Sequence, residues 1–246
     1  MENQQGSQIF SDYTLQQSET HTASKSFMAN VFLWMFGALL VSAGFAYAFS
    51  AFPELQSYLV DERGLTLAGK ATIFAPLGFV LLMSFGYQRL SAPVLAGLFI
   101  VYAAITGMSL SFILARYTGS SVLGCFVSSA AMFGVMGVMG YTTNKDLTSF
   151  GRIMTMGLIG IVIASLVNLF MRSGSMEFII SFIGIAVFTG LTAYDVQKLK
   201  RIGAGIEYEG MEAGSIRKMS IMGALNLYLD FINIFLFMLR LFGSRK

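Results

Sequence analysis

Leu225-Asn226-Leu227-Tyr228-Leu229-Asp230-Phe231-Ile232-Asn233-Ile234-Phe235 sets the class of this protein, because it is apolar on every side but one. In a helix of 3.6 residues per turn, Asn226, Asp230, Asn233 and the later Arg240 share a face. The surrounding segment, Met219–Leu241, is long enough to cross a hydrocarbon core, which takes about 20 residues at 1.5 Å each. An apolar helix with one polar seam is most simply buried among other helices, with the seam on a cavity. Six more stretches reach or approach the same length: Phe27–Phe52, Ala71–Gly86, Pro93–Leu114, Ser121–Tyr141, Ile153–Met171 and Phe178–Val196. The shortest, Ala71–Gly86, depends on Tyr87 and Gln88 to reach the interface.

Composition agrees with a polytopic, all-α integral membrane protein of seven transmembrane helices. Of the 246 residues only 12% are charged and 55% are hydrophobic, with a mean hydropathy of +0.69. A soluble domain carries about 25% charged residues. The one cysteine, Cys125, excludes an intramolecular disulfide, and the one histidine, His21, excludes a zinc site built from several imidazoles. A net charge of +3 without basic–aromatic clusters excludes nucleic acid as a partner. There is no Walker loop, dinucleotide fingerprint, HExxH or nucleophile elbow, and no tightly bound cofactor is expected.

Residues 1–26 form a polar, cytoplasmic tail preceding a membrane domain over 27–246, and His21 within the tail is expected to be solvated. The tail's Glu2, Asp12 and Glu19 against a single Lys25 are the opposite of a signal-peptide start. Lys25, Arg89, Lys145, Arg152, Lys198, Lys200, Arg201, Arg217 and Lys218 fall on the N-terminal side of the membrane. Arg63, Lys70, Arg116 and Arg172 fall opposite, joined by Arg240, Arg245 and Lys246 at the C-terminal end. The positive-inside rule then puts the N-terminus in the cytoplasm and the C-terminus outside the inner membrane, although the terminal cluster pulls the other way. Small residues at helical spacing, Ala103-Gly107-Ser111 and Gly134-Gly137-Gly140, are expected to let helices approach closely. The sixteen methionines read as core filler and Cys125 as a buried, inert thiol.

All but two of the 13 acidic residues fall in tails, loops or segment ends. The exceptions are Asp195 and Asp230, in the sixth and seventh segments. An ionisable group inside a span costs roughly 2.5–3.5 kcal/mol even on insertion scales, so it normally faces a wet cavity or a partner. Thr189, Thr192 and Asp195 step by three and are expected to share a face. The bland alternatives are that Asp195 caps its helix end and that Asp230 makes a static interhelical hydrogen bond of about 1 kcal/mol. If the two meet, they cannot both ionise cheaply, so they share a proton and titrate as a pair. Deprotonated, they offer a hard oxygen site that suits Ca²⁺, given carbonyls or waters to complete it. Arg89 ends the second segment on the same side, either as a latch for this pair or as an ordinary positive flank.

Three stretches resemble the Bax inhibitor-1 family, the transmembrane Bax-inhibitor-motif proteins, in its bacterial branch. They are Gly140-Tyr141-Thr142-Thr143-Asn144-Lys145-Asp146-Leu147-Thr148, Gly190-Leu191-Thr192-Ala193-Tyr194-Asp195-Val196-Gln197-Lys198-Leu199, and Leu225–Asn233 running to Leu239-Arg240-Leu241-Phe242-Gly243. The resemblance implies six helices surrounding a central seventh, and a Ca²⁺ leak opened by pH through the Asp195–Asp230 dyad. It also implies a latching role for Arg89. A long Gly/Glu loop from Gly203 to Gly214 is a point of difference, as is a second helix without a carboxylate. Two other functions remain open. Tyr194-Asp195 fits half the pattern of an intramembrane aspartyl protease, but Leu227-Tyr228-Leu229-Asp230 has bulky residues where Gly-x-Gly-Asp would admit a substrate. Alternatively, the protein is a non-transporting regulator that binds a membrane protease or other membrane-protein partner through its tail or through Glu207-Tyr208-Glu209.

Overall fold

The computed structural model describes residues 2–62, 64–208 and 211–246, with side chains for 24–62, 64–206 and 211–246. His21 therefore lies outside the described side chains. Seven helices are long and apolar enough to cross a membrane. They are α1 (Glu2–Ala51), α3 (Leu67–Gly86), α4 (Ala92–Leu114), α5 (Gly119–Thr142), α6 (Thr148–Met171), α7 (Gly174–Tyr208) and α8 (Ala213–Phe242). The backbone of the polar tail continues α1 without a break.

Between α1 and α3 lie a short helix α2 (Pro53–Ser57) and a two-residue hairpin, β1 (Val60–Asp61) paired antiparallel with β2 (Gly64–Leu65). Gly64 supplies a φ of 112°, which side chains rarely adopt. The hairpin hands over to α3 at Thr66, whose hydroxyl oxygen accepts the Gly69 N–H at 3.0 Å and so caps the helix. Starting at Leu67, α3 is 20 residues long and spans without borrowing Tyr87 or Gln88.

The central element is α8. Of its most apolar stretch 67% is buried, against 6% for α6. It packs against α1, α4, α5 and α7, while α3 leans on α4 and α6 on α7 from outer positions. The apolar-all-round sequence explains this burial. Leu225, Leu227, Tyr228, Ile234 and Leu239 are all within 1% of complete burial. One polar contact pins the centre: Ser42 donates to the Ala103 carbonyl at 2.7 Å, which leaves the Tyr228 hydroxyl to donate to Ser42 at 2.6 Å. The Tyr228 ring meets Phe99 and Tyr102 edge-on, with centroids 5.9 and 5.5 Å away.

The small residues divide in their use. A side chain on Gly107 would strike the backbone of Ser42, and one on Gly140 the backbone of Ala193, so both glycines bring helices into contact as expected. Gly134 has nothing within 4 Å, and Gly137 would meet only a Val196 methyl at 3.8 Å. These two border an open groove between α1 and α5 instead of a helix seam. Cys125 is buried, with its thiol 3.7 Å from the Met238 carbonyl.

Two expectations about α7 change. The helix continues to Tyr208, so only a short connection precedes α8 at Ala213, in place of a loop from Gly203. Asp195 accordingly lies in the interior of a 35-residue helix and cannot cap its end. Lys198, Lys200 and Arg201 end the apolar run but not the helix, whose next turns still pack on the bundle, with Gly203 close to Ser24 and Phe27 of α1 and Ile206 buried.

Candidate functional site

Asp195 and Asp230 face one cavity of about 670 Å³ between α6 and α8, floored by α7. The seam on α8 supplies Asn226, Asp230, Asn233 and Arg240 to its wall, as the spacing requires. Fourteen residues separate the first and last of these, so the seam runs about 21 Å along the helix, most of a hydrocarbon core of ~30 Å. The facing wall is apolar, including Leu158, Ile161, Val162, Leu166 and Leu169 of α6, with Ser165 as its single hydroxyl.

Within the cavity the two carboxylates differ. Asp230 is 4% exposed and its Oδ2 has no hydrogen-bond partner among the described residues. Asp195 is half-buried and lines the same cavity, without a direct hydrogen bond to Asp230 among the described residues. Asn233 spends one amide hydrogen on the Leu229 carbonyl at 2.8 Å. A buried, unpartnered carboxylate oxygen costs several kcal/mol unless it is protonated, hydrated or bound to a cation. The described residues contain no cluster of three or more His, Cys, Asp or Glu side chains, so a cation here would rely on the two aspartates, amide oxygens and water.

Two residues expected near the pair are elsewhere. Thr192 is fully buried and its hydroxyl donates to the Phe188 carbonyl at 2.8 Å, away from the cavity wall. Thr189 turns toward α5, its hydroxyl 3.1 Å from the Met132 sulfur. The reason is angular: each step of three residues falls about 60° short of a full turn, so Thr189 sits about 120° from Asp195. On α8, steps of four, three and seven compensate each other, and the seam holds. Arg89 is exposed in the turn after α3, where its backbone N–H donates to the Gly86 carbonyl at 2.9 Å; its guanidinium makes no hydrogen bond or ion pair among the described residues and does not line the cavity.

The position of Asp195 depends on a clamp that single-segment reading misses. Gln197, 5% exposed, donates to the Lys145 carbonyl at 2.8 Å and accepts from the Leu147 N–H at 2.9 Å and from Arg201 at 2.8 Å. Arg201 also pairs with Asp146 at 2.7 Å and reaches the Thr148 hydroxyl at 3.2 Å. The Thr148 hydroxyl and backbone N–H, with Arg201, hold the Asp146 carboxyl well below the usual carboxylate range. Lys200 donates to the Tyr141 carbonyl at 2.7 Å and stands over that ring. The α5–α6 connection is thereby fastened to α7 within two residues of Asp195. Its two halves are the Gly140–Thr148 and Gly190–Leu199 stretches singled out above, which meet in space.

Seven helices long enough to span, the most buried of them carrying a carboxylate onto a largely apolar cavity, define a multi-pass membrane protein. Comparison with known proteins narrows this. The family model for "Inhibitor of apoptosis-promoting Bax1" matches residues 24–246, and the chain belongs to this family, Bax inhibitor-1. It is 44% identical over 222 residues to Inner membrane protein YbhL of Escherichia coli (strain K12), covering 90% of this chain and 93% of that one. Uncharacterized protein RP147 of Rickettsia prowazekii is 43% identical over 224 residues, 90% of this chain and 91% of its own. An uncharacterized protein of Borreliella burgdorferi is 40% identical over 235 residues, 96% and 98% of the two chains.

Proposed function

We propose that the protein is a pH-sensitive Ca²⁺ leak channel in which Asp195 and Asp230 share a proton and, once deprotonated, take the permeant cation. The observation that carries this reading is the unpartnered, buried Oδ2 of Asp230 on a cavity that Asp195 also faces. A proton on the pair satisfies that oxygen when the path is idle, and a divalent ion satisfies it in transit. The charged groups near the pair are few: Arg240 at the far end of the cavity, and Lys198, exposed one turn beyond Asp195 on α7. The wall from α6 contributes none. Arg89 enters as a latch only in a second conformation that brings the end of α3 to the pair. On this reading the protein lies in the inner membrane, as the name of YbhL states for that relative, with the N-terminus cytoplasmic and the C-terminus outside.

The test is ⁴⁵Ca flux into proteoliposomes across a pH series. Asp195→Asn and Asp230→Asn should each remove the pH dependence, because a neutral amide cannot exchange the shared proton. Flux and pH response unchanged in both variants would overturn the reading. A non-transporting regulator predicts no flux above that of empty liposomes for wild type or variants, together with a membrane-protein partner that copurifies with the full chain and is lost on deleting residues 1–26.

A further inference from the structure

The end of α8 that carries Arg240 opens into a second pocket, also of about 670 Å³, beyond the aspartate cavity. Four cations line it: Arg116, Arg240, Arg245 and Lys246, with Glu177 as the single carboxylate. The last residues of the chain are strapped in place there. The Lys246 N–H donates to the Arg116 carbonyl at 3.0 Å, Thr118 donates to Ser244 at 3.0 Å, and Ser244 donates to the Ser121 hydroxyl at 2.9 Å. This pairing aligns Tyr117 with Arg245 and so sets Arg116 opposite Lys246.

Like charges directly opposite on paired strands are destabilising, with Cβ atoms about 5 Å apart. Among the described residues neither forms an ion pair, Glu177 being the one acidic side chain on the pocket, and the Arg201–Asp146 pair is at the other end of the bundle. The strap nevertheless sets its Lys246 opposite Arg116, beside Arg240 and Arg245. Beneath this rim, Ile113, Leu236 and Leu239 form an apolar floor. A cationic rim over an apolar floor at the end of transmembrane helices matches an anion carried on, or at the level of, the lipid headgroups. It also accounts for the basic cluster at the C-terminal end that runs against the charge bias of the loops.

We infer that this pocket binds a phosphate group, presented by an anionic phospholipid or as free phosphate. The arginines suit it because their planar, forked donors match phosphate oxygens, while Lys246 adds a point charge. Arg240 lines both cavities, so the bound phosphate neutralises the one guanidinium that also faces the aspartates' cavity.

Full-length protein in detergent, mixed with equimolar phosphatidylglycerol and phosphatidylcholine, is read by native mass spectrometry; inorganic phosphate is titrated in parallel by calorimetry. Wild-type protein is expected to retain phosphatidylglycerol in preference. Arg116→Gln with Lys246→Gln should lower that retention about thirtyfold, at roughly fivefold per cation. Lys25→Gln with Lys200→Gln, at the opposite end, should leave it unchanged. Should the double variant not fold, Arg245→Gln alone should give the single-cation loss. Equal retention of both lipids with calorimetric phosphate binding assigns the site to free phosphate. Equal retention without phosphate binding, or a preference unchanged by every rim substitution, overturns the proposal. The readout is binding, so its outcome is separate from that of the flux assay.

Discussion

Gly140→Ala tests the packing that positions Asp195. The added methyl would collide with the Ala193 carbonyl oxygen and lie 2.8 Å from the Ala193 carbonyl carbon and Cα. Ordinary contact begins near 3.4 Å. The obstacle is backbone, which cannot rotate away, so α5 and α7 must part by at least about 0.6 Å, with overpacking of this kind costing roughly 1–3 kcal/mol. Gly134→Ala on the same helix meets nothing within 4 Å and should instead be neutral, or stabilising by about 0.4–1 kcal/mol through the unfolded chain. Reversible unfolding in mixed micelles, followed by tryptophan fluorescence from Trp34, compares the two variants directly. Because Ala193 is two residues from Asp195, the same displacement should alter the pH response of ⁴⁵Ca flux in Gly140→Ala but not in Gly134→Ala. Equal stability of the two variants would refute the close approach of α5 and α7.

Tyr228→Phe removes the donor to Ser42 from the core and should cost about 0.5–1.5 kcal/mol in the same unfolding assay. Gln197→Leu deprives Lys145 and Leu147 of their partner, so amide hydrogen exchange at Leu147 should accelerate while exchange in α8 is unchanged. Asp146 has a folded pKa below its unfolded value of about 3.9, so its contribution to stability is present above that value and is lost as pH falls through the folded one. At about pH 3, where an unperturbed aspartate is mostly protonated, the Asp146–Arg201 clamp should therefore persist, seen as continued protection of the Thr148 amide. In Asp146→Asn that protection should be weaker at neutral pH and insensitive to acid over the same range.

The spans were legible because crossing a bilayer demands a long apolar run, and the seam on α8 because its steps of four, three and seven cancel in angle. Asp230 was legible for the same reason, being a charge where the surroundings have no water to offer. The true length of α7 was hidden, since the apolar run ends at Val196 and helix formation does not. Thr189 and Thr192 were misplaced because each step of three falls about 60° short of a full turn, which already takes Thr192 off the cavity wall and carries Thr189 twice as far. The difference between Gly134 and Gly140 depends on which helix lies opposite, and no local pattern carries that. Ser42 and Tyr228, 186 residues apart, meet through single hydroxyls in otherwise apolar segments, and the hairpin at Val60–Leu65 rests on two paired residues per strand. Arg89 shows the limit in another way: its side of the membrane follows from counting spans, but its reach depends on how α3 leans.

The outer position of α6 has a mechanical consequence. It touches the rest of the bundle through α7, yet it forms the long wall of the aspartate cavity. Tilting this one helix changes the width of the cavity while the packing around α8 stays intact. Such a tilt works against the packing of α6 on α7 and against the acyl chains pressing on its exposed face. The thickness and lateral pressure of the host bilayer therefore act as a spring on the site, and a flux measured in one lipid describes the protein together with that lipid.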